Sequence, residues 1–187
     1  MNKDWIKKIQ NELFTTKSYI PFSQNIIDNT KLYNVFLSLC EELFEDNFSF
    51  EKEEKIIEFI SELIMKNTDK KITELKSQNI FVDDIKCYID KSYLDENLNL
   101  EDISKEFLIS PFHLIRIFKK ELLLTPYQYI LNKKINLAKE LLSQNISISE
   151  VALSTGFNDQ SHLYKYFKQT FSISPKEYQN SLINCNF

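Results

Sequence analysis

One glycine, Gly156, stands among 187 residues, with four prolines, three cysteines and two histidines. So few glycines leave little room for hairpin turns, and they exclude the glycine-rich loops that cradle phosphates in nucleotide-binding enzymes. No nucleophile elbow and no cluster of carboxylates is present either, so the expected class is not an enzyme and no catalytic residue is assigned. Cys40, Cys87 and Cys185 are odd in number, widely spaced and without a Cys-x-x-Cys pair. They read as reduced thiols of a cytoplasmic protein, neither a disulfide framework nor a zinc site. No apolar run approaches the roughly 20 residues that span a bilayer. The N-terminus, MNKDWIKKIQ, lacks the apolar core of a secretory signal. The expectation is therefore a soluble globular chain with no membrane partner, metal or cofactor.

What is present is helical patterning. Hydrophobic residues make up 43% and charged residues 27%, and the apolar ones recur at three- and four-residue spacing. Lys31 to Glu45 places Leu32, Val35, Phe36, Leu39 and Leu43 on one face, and Glu51 to Asn67 does so with Ile56, Ile60, Leu63 and Ile64. They read as an antiparallel pair and as a homodimerisation segment over residues 31–67, the alternative being that their apolar faces pack wholly inside one chain. Asn67 to Asn79, rich in Lys, Thr, Ser and Asn, is the candidate linker, dividing an N-terminal region, 1–79, from a second domain, 80–187. A further helix starts near Asp83 with Ile85, Tyr88 and Ile89 facing inward.

Beyond it the helix starts are marked by short-range chemistry. Asn99 with Asp102 and Ser147 with Glu150 place a capping side chain three residues before a carboxylate. Ser110-Pro111, Thr125-Pro126 and Ser174-Pro175 pair a cap with proline at the first helical position, where the missing N–H costs nothing. Gly156 lies between a short helical pattern, Ile148 to Ser154, and a basic aromatic one, His162 to Lys168. A tight helix-to-helix join requires positive φ, which glycine adopts freely and other residues resist. This is the turn of a helix-turn-helix.

The unit occurs twice. Sliding SPFHLIRIFKKELLLTPYQYI, from Ser110, onto DQSHLYKYFKQTFSISPKEYQ, from Asp159, matches His113, Leu114, Phe118, Lys119, Pro126 and Tyr129 with His162, Leu163, Phe167, Lys168, Pro175 and Tyr178. The first upstream turn lacks the glycine. Leu114, Ile117, Phe118 and Leu122 form one buried stripe; Leu163, Tyr166, Phe167 and Phe171 form the other. The opposite faces are then expected in solvent, carrying Phe112, Ile115, Arg116 and Lys119 in the first copy and Ser161, Tyr164, Lys165 and Lys168 in the second. The fold class expected is all-α: tandem helix-turn-helix units joined by a long helix, Pro126 to Ser143, and preceded by a helical hairpin.

Such faces suit double-stranded DNA. The chain is net −4, yet Pro111 to Lys176 carries Arg116 and eight lysines against Glu121, Glu140, Glu150 and Asp159. Local charge is what a phosphate backbone senses, because surface charges beyond about 10 Å are screened. A major groove admits one helix. Arg116 can contact guanine bidentately, and Phe112 and Ile115 could press on thymine methyls. Gln160, Ser161 and Lys165 are the expected base readers of the second helix, with His162, Tyr164 and Lys168 nearer phosphates. The helix starts, at Ser110 with His113 and at Asp159, offer free amides to phosphate oxygens. An 18-residue connecting helix is about 27 Å long, of the order of the roughly 34 Å between successive major-groove faces.

Residues 98–179 resemble the AraC/XylS family of bacterial transcription regulators. The match is carried by LEDISKEFLISPFHLIRIFKKELLLTPYQYI, INLAKELL and ISISEVALSTGFNDQSHLYKYFKQTFSISPKEY. Val151, Ala152, Gly156, Phe157, Asp159, Ser161, Phe167 and Ser174-Pro175 stand where the family pattern wants them. The resemblance implies seven helices, two helix-turn-helix units and sequence-specific promoter binding, with activation through RNA polymerase. The chain departs from it at Leu108, Leu123 and Ser172, where the family commonly has glycine, and at Lys134, where it has arginine. Either Leu108 takes a strained positive φ or the first turn takes another form. Residues 26–67 resemble more faintly the family's dimerisation helices, and the cupin-like effector barrel that precedes them there is absent, as in a truncated product or a natural short regulator. The competing reading is a helical protein-interaction module, or an antagonist of a related regulator, that has lost DNA binding.

Overall fold

The computed structural model describes residues 7, 9–11, 13, 20–23, 27–44, 49–68 and 82–184, and every regular element among them is α-helical. The helices are α1 (Thr30–Leu43), α2 (Phe50–Lys66), α3 (Val82–Ser92), α4 (Leu100–Glu106), α5 (Pro111–Leu122), α6 (Pro126–Ser143), α7 (Ile148–Ser154), α8 (Gln160–Phe171) and α9 (Pro175–Asn184). Most of the expected linker, the 79/80 boundary and Cys185 lie outside the described residues. Cys40 and Cys87 are free thiols. Among the described residues no helix is long and apolar enough to cross a membrane.

All five marked starts open helices, and the caps do what their chemistry allows. Asn99 accepts from Asp102 N at 2.9 Å, Ser110 from His113 N at 3.2 Å and Ser147 from Glu150 N at 3.3 Å. Ser174 and Glu177 close a reciprocal capping box, with Ser174 N donating to Glu177 at 2.7 Å and Glu177 N to Ser174 at 3.2 Å. The Ser174 backbone N–H, and then the Ser174 hydroxyl, hold the Glu177 carboxyl below its ordinary range. Asn29 and Ser49 cap α1 and α2 in the same way, without the carboxylate that would have marked them.

The chain divides into two compact units, residues 1–86 with 99–127, and residues 87–98 with 128–187. In the first, α1 and α2 run antiparallel: Lys55 pairs with Glu42 at 2.7 Å, and the Phe36 and Phe59 rings lie 5.7 Å apart. Only part of the expected α1 stripe is covered. Leu32 and Leu39 are buried, whereas Val35, Phe36 and Leu43 are exposed together with Tyr33 and Leu37. A small core of Ile9, Leu13 and Ile64 gathers Ile60 and Phe112 around it.

The second unit has a core built from Ile135, Ala138 and Leu142 of α6, Val151 and Ala152 of α7, Phe157, and Leu163, Tyr166 and Phe167 of α8. Phe171 and Tyr178 pack on it, their rings 4.8 and 5.7 Å from that of Phe167. Burying a side chain of this size contributes about 1.5–3 kcal/mol, which is why the aromatic stripe orients α8 so firmly. Phe118 and Phe167, matched in the repeat, are both fully buried.

The turns are alike despite their different residues. In α7 to α8, Gly156 takes φ +67°, with Phe157 N bonded to Ala152 O at 3.0 Å. In α4 to α5, Leu108 takes φ 52°, with Ile109 N bonded to Ser104 O at 2.9 Å. Both are left-handed helix ends closed by the same long-loop hydrogen bond. Leu108 thus accepts the strained conformation rather than changing the turn. Leu123 and Ser172, the other two positions where the resemblance wants glycine, are likewise left-handed, at φ 58° and 62°.

Candidate nucleic-acid interface

The second unit presents the outer face of α8 openly. Asp159 caps α8 by accepting from His162 N at 2.7 Å, a role that fixes the start of the helix. Behind that cap, Leu163, Tyr166 and Phe167 are sealed into the core. The other side, Gln160, Ser161, Tyr164, Lys165, Lys168 and Gln169, lines one open concave surface, and all six residues are exposed. Gln169 was missed by the sequence reading, although its spacing of four from Lys165 places it on the same face. Lys165 extends over the Tyr166 ring, 5.3 Å from its centre, which aims the ammonium along the face. Gln160 donates to the Ser149 hydroxyl of α7, so α7 and α8 are tied at the first turn of α8.

His162 is placed differently from expectation. Its ring meets Phe157 and Tyr166 edge-on, with centroids 5.6 and 4.9 Å away. Half-buried between two aromatics, it props the turn against the helix rather than standing free beside the cationic face.

The first unit is arranged in another way. Ser110 caps α5 and is half-buried, and Arg116 is half-exposed. Burial, then the neighbouring Arg116 charge, lowers the His113 pKa, so this imidazole is neutral at pH 7 and adds no charge to the face. Two expectations fail. Ile115, assigned to the outer face, is only 5% exposed, and Phe112 packs on the Ile9, Leu13 and Ile64 core. The reason is a neighbour that periodicity cannot see: α2 packs against α5 and α4. Lys119, also assigned to DNA, is ion-paired with Glu58 of α2.

Two further glutamates of α2 reach helix starts. Glu53 accepts from Leu100 N at 3.3 Å and Glu54 from Tyr127 N at 3.0 Å. Burial pushes the Glu54 carboxyl up to about 7, against the lowering effect of its hydrogen bonds to Thr125 and Tyr127. None of the three was legible in the sequence, because an acidic residue on a helix ordinarily faces water.

Among the described residues no group of three or more His, Cys, Asp or Glu is placed to hold a metal ion. The polar groups that converge are donors and cations on α8, and cations with an acidic cover on α5.

Comparison with known proteins agrees with this geometry. A family model described as a helix-turn-helix domain matches residues 103–181. The chain is 33% identical over 163 residues to the uncharacterized HTH-type transcriptional regulator YbfI of Bacillus subtilis, covering 86% of this chain and 58% of that protein. It is similar to the C-terminal domain of AraT, a response regulator from Geobacillus stearothermophilus, with 29% identity and a TM-score of 0.50 over 54% of this chain and 84% of that one. A probable AraC family transcriptional regulator from Rhodopseudomonas palustris shares the fold, with a TM-score of 0.51 at 20% identity, over 54% of this chain and 95% of that one. The chain spans little more than half the length of the curated relatives YbfI and YdiP, 58% and 54%. With two capped helix-turn-helix units in this part of the chain, residues 103–181 are an AraC-type helix-turn-helix domain.

Proposed function

We propose that the chain is a sequence-specific transcription regulator that lays α5 and α8 into adjacent major-groove segments of a promoter and activates through contact with RNA polymerase. The observation that carries this reading is the outer face of α8, where Gln160, Ser161, Tyr164, Lys165 and Lys168 are exposed together while the opposite face is sealed. Gln160, Ser161 and Lys165 read base edges; Tyr164 and Lys168 hold the phosphates. In α5, Arg116 reads a guanine and Lys119 a phosphate once that face is free.

Residues 80–187 form the DNA-binding domain in this reading, and residues 31–67 pair two copies in the cytoplasm. The exposed Tyr33, Val35, Phe36 and Leu37 of α1 support that pairing, since neighbouring apolar groups left in water favour a partner. Light scattering that returns a monomer mass would remove the dimer.

The decisive experiment is selection from a randomised duplex pool by the purified chain, followed by affinity measurements at several salt concentrations. One recurring motif and an affinity falling steeply with salt are expected, because phosphate contacts release counterions. A salt-independent affinity with no enriched sequence would instead favour the protein-interaction module.

A further inference from the structure

The first reading helix is covered within its own unit by carboxyl groups that take the kinds of partner its proposed ligand would take. Helix starts carry unpaired amides and partial positive charge, and they attract phosphate oxygens. In this chain α2 meets one such start and one lysine: Glu54 takes the Tyr127 amide of α6 at 3.0 Å, and Glu58 pairs with Lys119 of α5. Apolar contact reinforces the cover, since Ile115 is 5% exposed and Phe112 packs on the core that contains Ile64 of α2. The matching face of α8, by contrast, is open along Gln160, Ser161, Tyr164, Lys165, Lys168 and Gln169.

We propose that α2 is an intramolecular mask, an acidic helix that occupies the phosphate-seeking groups of the first unit and must lift away before α5 can enter a groove. The inference rests on the reading of α5 and α8 as DNA readers. DNA and α2 compete directly, because Lys119 cannot serve Glu58 and a phosphate at once, and Ile115 and Phe112 cannot face both a core and a groove. At rest the chain then binds through α8 alone and occupies one half-site; with α2 displaced it occupies two.

The test uses the full chain and a labelled duplex of about 40 base pairs, long enough for two half-sites, selected by the wild-type protein. Glu58→Lys sets like charges against each other at Lys119. It is expected to tighten binding about tenfold, the factor by which freeing a state populated to about one-tenth lowers an apparent Kd, and to lengthen the hydroxyl-radical footprint from one half-site to two. Adding Arg116→Ala should cancel the gain. Glu62→Lys makes the same charge change on a glutamate paired with Lys66 of its own helix and should leave the footprint short. Hydrogen exchange on the wild-type chain gives a readout free of any folding defect: α2 amides should lose protection when a duplex engages both half-sites. A wild-type footprint that already covers two half-sites with α2 still protected, or an unchanged footprint and affinity in Glu58→Lys, overturns the mask while leaving DNA binding intact. Failure of both proteins to bind any duplex overturns the DNA reading and the mask with it.

Discussion

The Lys134 ammonium donates to the Gly156 carbonyl at 3.0 Å, so the connecting helix α6 holds the turn of the second helix-turn-helix directly. Burial lowers the Lys134 pKa, opposed by the nearby Glu96 charge, and the bond recovers part of what that burial costs. A Cβ built on Gly156 would lie 3.0 Å from the same Nζ, at a φ of +67°. The one glycine and this lysine therefore form a single device that sets how α7 joins α8.

Gly156→Ala should lower stability by about 1–2 kcal/mol through the left-handed backbone alone. Displacing Lys134 adds to that. Urea denaturation measures it, and Lys134→Ala combined with Gly156→Ala should cost less than the two single changes together, because the variants share one contact. Strict additivity would show that the bond does not couple helix and turn.

Leu108 and Leu123 adopt positive φ at 89% and 86% exposure. Their side chains bury almost nothing, so replacing either with glycine removes strain at little packing cost. Leu108→Gly and Leu123→Gly should each stabilise the fold by up to about 1 kcal/mol, less whatever entropy the unfolded chain gains. A rise in the denaturation midpoint checks this; a fall would mean the leucines do something the fold needs.

Glu54 makes stability depend on pH. The folded chain keeps its proton up to about pH 7, whereas an unfolded carboxyl releases it near its ordinary value of 4.5. The folded state therefore binds more protons across that window, and stability falls as pH rises from about 4.5 to about 7, by on the order of 3 kcal/mol. The groups facing it are Thr125, the Tyr127 amide, Glu58 and Lys119. Glu54→Gln should flatten the slope in this window and match or exceed wild-type stability at pH 8; a slope that survives the substitution would assign the proton elsewhere.

Lys165→Ala and Lys168→Ala should separate two jobs on α8. Losing Lys168 is expected to weaken all duplexes alike and to reduce the salt slope by about one unit. Losing Lys165 should relax the preference for the selected motif by about 1–3 kcal/mol. Equal effects of both on selected and unrelated duplexes would reassign Lys165 to the backbone.

Residue identity alone determined the five marked helix starts, the turn at Gly156 and the inner stripe of α8. Asn99, Ser110, Ser147 and Ser174 bond amides three residues on, and the spacing of Leu163, Tyr166 and Phe167 follows from the helical period. Those relations lie within one turn of chain and leave a local trace. Tertiary packing decided which outer face stays open. Glu58 and Lys119, Glu54 and Tyr127, or Phe112 and the Ile9 core meet across long stretches of chain, and no periodicity records a pairing of that range. Ile115 shows the difference: by helical phase it belongs to the solvent side, and it is buried because α2 packs against that helix.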